Sequence, residues 1–201
     1  MRIVCAGGGP AGLFFALLMK QRHPEHDVEV RERNSEGQVQ GWGVVLWQDA
    51  VDAVTAADPA TGRALAATLF EWHGVQISRR GELHVDDGPS GFAIARRELQ
   101  ALLTGRAREV GVKITYGFEV DPSDLPEADL IVAADGVGSR LRRAHAAEFG
   151  PRSVPSKNRY AWLGVASCLK SFPGLPRLPC IASHRKLCEM LSRTAVRALF
   201  K

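Results

Sequence analysis

Near the start of the chain, Gly7-Gly8-Gly9-Pro10-Ala11-Gly12 has the residue types and spacing to cradle a diphosphate. The pattern is G-x-G-x-x-G. Gly7 permits a tight turn, Gly9 lets backbone approach a pyrophosphate, and Gly12 lets a helix pack closely on a strand. Glu32 lies twenty residues beyond Gly12, where a carboxylate can accept both hydroxyl hydrogens of an adenosine ribose and would repel a 2′-phosphate. A second acidic residue, Asp135, follows the apolar run at residues 130–134 and precedes Gly136 and a basic stretch. That order puts its carboxylate within reach of a sugar hydroxyl, or in position to cap the following helix.

These residues must be held by elements, and the flanking sequence supplies them. Residues 2–6 (RIVCA) form a short β-branched run, too brief for a helix and ended by glycines, so they read as a buried parallel strand. From Ala11 the period changes, with Leu13, Phe14, Leu17 and Leu18 at helical spacing. Pro10 suits the first turn because a proline's missing N–H is not needed there, and Pro24 stops the helix near residues 22–23. Residues 28–32 alternate as a second strand, giving a βαβ entry whose helix start faces a phosphate without any lysine. This unit binds a dinucleotide and does not by itself separate NAD from FAD.

Further along, residues 68–85 alternate around Gly74 and Gly81 and read as two or three antiparallel strands. Phe70 and Trp72 there, and Phe92 beyond, can pack in a core or line an aromatic pocket, core packing being the commoner outcome. His73 and His84 read as ordinary strand residues. Leu99, Leu102, Leu103 and Ala107 mark a helix over residues 96–110, followed by a strand at 112–116.

Taken together, GGGPAG at 7–12, Glu32, Arg96 in ARREL and ADGVGSRLR at 134–142 resemble the group A flavoprotein monooxygenases, the family of para-hydroxybenzoate hydroxylase. The resemblance covers about residues 1–165. It implies that Gly7, Gly9, Pro10, Ala11 and Gly12 hold the FAD pyrophosphate and Glu32 the adenosine ribose, with Arg33 beside it in the cofactor-binding set. It implies further that Arg96 opens a helix beside the flavin's phosphate and ribityl chain, and that Asp135 and Gly136 lie near FAD. Residues 41–45 (GWGVV) stand where the family has a loop beside the isoalloxazine ring, which adds Gly43 and Val44. Their spelling is similar to that in hydroxylases of salicylyl- and anthraniloyl-CoA and of violacein synthesis.

The family activity so implied is NAD(P)H-dependent reduction of FAD, oxygen addition at the flavin C4a and hydroxylation of an aromatic ring. A small aromatic substrate is expected, a CoA thioester among its forms. The fold class expected is α/β, a Rossmann-like FAD-binding domain over residues 1–150 with a β insertion at 68–92. Residues 151–201 are expected to hold a truncated start of a substrate domain and an atypical basic tail. A non-catalytic FAD-binding remnant and an NAD-dependent oxidoreductase are the alternative readings. No catalytic base is identified, and FAD binding is expected to be weak where segments that bury the ring are missing.

Charge and composition exclude other classes. Residues 1–150 carry 16 Lys+Arg and 21 Asp+Glu, whereas residues 151–201 carry 10 and 1, so the pI of 9.1 arises in the tail alone. No aromatic-basic stripe accompanies it, and nucleic-acid binding is not expected. No apolar run approaches the roughly 20 residues of a bilayer span. With four unevenly spaced cysteines, this leads to an expectation of free thiols, a cytoplasmic location and no membrane contact. Residues 158–164 resemble the family's strand into its substrate domain, after which the pattern is lost, as in an out-of-frame or rearranged ending. Cys180, His184 and Cys188, with Cys168, are spaced too widely for a built zinc site, and no metal is expected.

Overall fold

The computed structural model describes residues 1–79 and 82–154. The elements are β1 (Arg2–Ala6), α1 (Pro10–Arg22), β2 (Asp27–Glu32), β3 (Gly43–Leu46), α2 (Gln48–Ala57), α3 (Pro59–Ala66), β4 (Phe70–Arg79), β5 (Glu82–Ala95), α4 (Arg96–Glu109), β6 (Lys113–Tyr116), β7 (Leu130–Ala133), α5 (Arg140–Ala144) and α6 (Ala146–Phe149). They fall into two compact units, one holding residues 1–40, 49–68 and 97–154, the other including 41–48 and 69–96.

The first unit is built on a four-stranded parallel sheet in the order β6-β2-β1-β7. Its inner strand is the RIVCA run, in which Ile3, Val4, Cys5 and Ala6 are all buried. A strand apolar at every position suits a sheet covered on both faces, which is why it does not alternate. Helix α1 buries Gly12, Leu13, Ala16 and Leu17 on one stripe. Each fully buried leucine there contributes about 2 kcal/mol relative to exposure. The helix ends at Arg22 with His23 as its C-cap, one residue ahead of Pro24. Helix α4 buries Leu99, Leu103, Thr104 and Ala107, while Leu102 is only half-buried.

Helices α2 and α3 carry no clear signal in the linear pattern. Alanine-rich stretches give little apolar contrast, although Asp58-Pro59 is a legible helix start: the Asp58 carboxylate accepts from the Thr61 amide at 3.1 Å and from its hydroxyl at 2.7 Å. Asp58 also accepts from Arg106 Nε of α4 at 2.9 Å and from Gln21 of α1 at 3.0 Å. One buried carboxylate thereby ties three helices. Burial pushes its pKa up, but the bonds from Arg106, Thr61 and Gln21 outweigh that and hold it well below the usual carboxylate range.

The second unit is an antiparallel sheet in the order β3-β5-β4. The alternating stretch at 68–85 yields two strands, and the third comes from elsewhere. Residues 43–46, expected as part of a loop, pair with residues 92–95 of β5, because Val44, Val45 and Leu46 are strand formers that need a ladder partner. Gly74 is not a turn. It lies at a bulge where His73 pairs with Ser90 and Val75 with Asp86, so residues 87–89 oppose one residue. Pro89, which has no N–H to donate to a ladder, falls within this bulged stretch.

Candidate functional site

In the first unit the glycine turn sits at the carboxyl end of β1, with β2 and β7 ending on either side of it. Ligands of open parallel sheets bind in this position. The glycines serve three different needs. Gly7 has φ +110° and a Cβ there would lie 2.4 Å from the Ala134 carbonyl oxygen; a Cβ on Gly12 would lie 2.1 Å from the Gly7 oxygen. Both are sterically required by the protein itself. Gly9 has an extended backbone and a Cβ there would meet nothing within 4 Å. Among the described residues, its side is open to the approach of a ligand.

The sequence pattern leaves Gly8 unassigned, yet its Cβ would lie 2.9 Å from that of Glu32. This close approach lets the Gly8 amide donate to Glu32 Oε2 at 2.7 Å. Glu32 Oε1 accepts from the Asn34 amide at 2.9 Å and from its side chain at 2.6 Å. A carboxylate offers about four acceptor positions, so three are taken and one remains. Glu32 is thus fixed in place at the turn, and accepting both ribose hydroxyls would require the Asn34 side chain to turn away. Gln100 of α4 donates to the Gly8 carbonyl and braces the turn from the other side. Neither Asn34 nor Gln100 carries a sequence signal that would single it out.

With the Gly7 amide donating to Arg31 and the Gly8 amide to Glu32, the first-turn amides of α1 are those left to face a phosphate. Among the described residues no side chain caps this helix and no acidic residue occupies its first turn, which leaves its amino end open to an anion. Pro10 sits at the first helical position and Ala11 is exposed beside it.

Asp135 follows β7 and does cap a helix: its Oδ2 accepts from the Arg140 amide at 2.7 Å and the Leu141 amide at 3.4 Å. Burial raises its pKa, but hydrogen bonds from Ser139, Arg140 and Leu141 prevail and hold the carboxyl below its ordinary value. Its second oxygen, Oδ1, is buried without a partner among the described residues. Such an acceptor calls for a hydroxyl or amide from outside the protein. Gly136 beside it has φ +89° and is exposed. Arg33 is exposed, 3.5 Å from Glu119.

Gly43, Val44 and Arg96 belong to the second unit and come together there. The Arg96 amide donates to the Trp42 carbonyl at 3.1 Å, and a Cβ on Gly41 would lie 3.3 Å from Arg96 Cδ. Trp72 meets Trp47 edge-on at 5.5 Å and lies against Gly91, the packing role rather than an open aromatic wall. His73 bonds Ser90 at 2.8 Å. The residues at 158–164 and the Cys180, His184, Cys188 set lie outside the described residues.

A parallel sheet with a glycine turn, a fixed carboxylate on one flank and a buried orphan acceptor on the other defines a dinucleotide-binding protein of Rossmann-like class. Comparison with known proteins narrows the class. The chain is 38% identical over 166 residues to salicyloyl-CoA 5-hydroxylase of a Streptomyces species, covering 82% of this chain and 32% of that protein. It is 35% identical over 170 residues to 3-hydroxy-4-methyl-anthranilyl-(aryl-carrier protein) 5-monooxygenase of Streptosporangium sibiricum, covering 85% and 48%. Among solved structures, 2-methyl-3-hydroxypyridine-5-carboxylic acid oxygenase superposes with a TM-score of 0.60 at 29% identity, covering 71% of this chain and 41% of that one. No protein-family model matches the chain.

The chain is related to the FAD-dependent aromatic monooxygenases, and FAD is the dinucleotide indicated. It spans about a third to about a half of the length of the relatives it matches. Among the described residues, no helix is long and apolar enough to cross a membrane.

Proposed function

We propose that this chain is the FAD-binding portion of an aromatic-ring hydroxylase that uses NAD(P)H and molecular oxygen. The observation that carries the reading is the pair of carboxylates flanking one glycine turn, Glu32 fixed by Gly8 and Asp135 with a buried oxygen unpaired. In it, Gly9 and the first turn of α1 face the pyrophosphate, Glu32 takes an adenosine ribose hydroxyl, and Asp135 Oδ1 accepts from the cofactor's sugar-alcohol side. Gly7, Pro10, Ala11 and Gly12 shape the turn, and Arg33, Gly43, Val44, Arg96 and Gly136 complete the cofactor-binding set. Bound flavin would supply the reduction and oxygen chemistry, while the protein's share is to bind, orient and shield it.

The substrate class proposed is an aromatic acid activated as a thioester, because two relatives are named for a CoA thioester and a carrier-protein thioester of aromatic acids. A cytoplasmic location goes with that substrate class and with Cys5 being a free thiol.

The test has two stages. The purified chain is titrated with FAD and followed by flavin fluorescence; then NAD(P)H consumption and product are measured with salicyloyl- and anthraniloyl-CoA. Saturable FAD binding that weakens at least about tenfold in Asp135→Asn, together with substrate-dependent NADH or NADPH oxidation, supports the reading. Binding without turnover leaves a flavin-binding remnant, and no binding ends the proposal.

A further inference from the structure

At the opposite end of α1 from the glycine turn, three side chains that no part of the flavin reading uses converge on one point. His23 is the C-cap of α1, and Pro24, Glu25 and His26 form the turn into β2. The two imidazoles stack, with ring centroids 4.7 Å apart and planes at 16°. Both face the same carboxylate oxygen: His23 Nδ1 is 3.5 Å and His26 Nε2 is 3.2 Å from Glu25 Oε1. One ligand atom from each of the three lies within 4.8 Å of the other two.

Those separations are informative. Ligand atoms about 2.0–2.2 Å from a tetrahedral ion stand roughly 3.3–3.6 Å apart, close to the two distances to Glu25 Oε1, and a turn of one imidazole out of the stack brings both in-plane lone pairs onto one ion. The ligand types are also apt, two borderline imidazole nitrogens and one carboxylate oxygen, with a fourth position open to water.

The turn is built before any ion arrives. The His26 amide donates to the His23 carbonyl at 3.0 Å. Lys20 Nζ donates to the carbonyls of Pro24 at 2.7 Å and His26 at 2.6 Å, so its ammonium holds the turn while its charge opposes a cation. Among the described residues His26 Nδ1 is buried without a partner, and Nε2 is the ring nitrogen that faces Glu25.

We propose that His23, Glu25 and His26 form a surface site for a first-row divalent cation, zinc being the ion of choice for two imidazoles and a carboxylate. Occupancy would clamp the α1 to β2 turn, whose two elements carry the glycine turn and Glu32 at their far ends. The proposal is independent of which dinucleotide binds there.

The experiment uses the full, tag-free chain with zinc chloride in isothermal titration, repeated with Glu25→Gln, with His23→Gln plus His26→Gln, and with Cys180→Ser plus His184→Gln plus Cys188→Ser. Support consists of a saturable zinc site that weakens more than about tenfold in the first two variants and persists in the third, with a zinc-dependent rise in melting temperature lost only in the first two. Circular dichroism of the zinc-free variants, unchanged from the parent, shows that the turn still folds. No saturable binding, or binding lost only in the cysteine variant, overturns the proposal.

Discussion

Strands β1 and β5 are both inner strands, β1 paired on two sides at residues 3–6 and β5 only at residues 92–93, and they are made of different sequence and meet different surroundings. In β1, residues 3–6 are at most 2% exposed. In β5, Ile94 is equally buried while Val85 is 54% exposed, and the strand contains Gly88, Pro89 and Gly91. Trp42, Val45 and Trp47 on or beside β3 are also about half exposed. The difference follows from connectivity. A parallel pair is joined by a crossover helix that covers a face of the sheet, whereas an antiparallel pair is joined by a hairpin and can leave a face to solvent. Precision in the first unit therefore rests on packing, and a change of one carbon is felt there.

The sharpest way to break this contrast is Gly12→Ala. Its Cβ would sit 2.1 Å from the Gly7 carbonyl, a backbone atom that cannot move without displacing β1, so a loss of more than about 4 kcal/mol, read as failure to give a cooperative melt, is expected. Next comes Asp58→Asn, expected to cost about 3 kcal/mol in denaturant titration by taking from Arg106 its buried partner, leaving only the exposed Glu109, and by weakening the α3 cap.

The same residue sets a pH dependence. Because the folded state holds the Asp58 pKa below its unfolded value, its stabilisation is complete at neutral pH and is lost as pH falls through and below the ordinary carboxylate range. The Asn variant should show a shallower acid limb; an unchanged limb would place the acid sensitivity elsewhere.

A paired substitution measures the contrast directly. Val4→Ala in β1 should cost about 2 kcal/mol and Val85→Ala in β5 less than about 0.5 kcal/mol in the same denaturant assay, and equal costs would erase the distinction. Gly9→Ala separates packing from binding: nothing among the described residues opposes the new methyl, so the melting temperature should fall only slightly, from the poorer helix cap, while FAD affinity falls about tenfold or more. The smallest effect is expected at Cys5, whose thiol burial pushes up to about 12. It should resist alkylation by iodoacetamide in the native chain and react after unfolding, as followed by mass spectrometry.

Much of this was legible in the linear pattern because local signals and tertiary demands agree. RIVCA, the glycine turn, the helical period from Ala11 and the alternation to Glu32 each follow from neighbours along the chain, and the observed β1, α1 and β2 match them. Residues 96–109 and 130–133 were readable for the same reason. Strand β3 was not, since nothing local says that Val44 and Val45 pair with residues fifty positions away. Nor was the bulge at Gly74, which answers to a proline on the opposite strand.

The candidate site divides in the same manner. Sequence by itself determined which residues could bind a dinucleotide, because G-x-G-x-x-G and the distant acidic residues are statements about backbone freedom and charge. Only the tertiary structure decided that Glu32 spends three of its acceptor positions on Gly8 and Asn34, that Gln100 braces the turn, and that Asp135 both caps a helix and keeps one oxygen unpaired. The physical reason is that hydrogen-bond accounting depends on which groups meet in space. A sequence names donors and acceptors; the fold assigns their partners and leaves a remainder for a ligand.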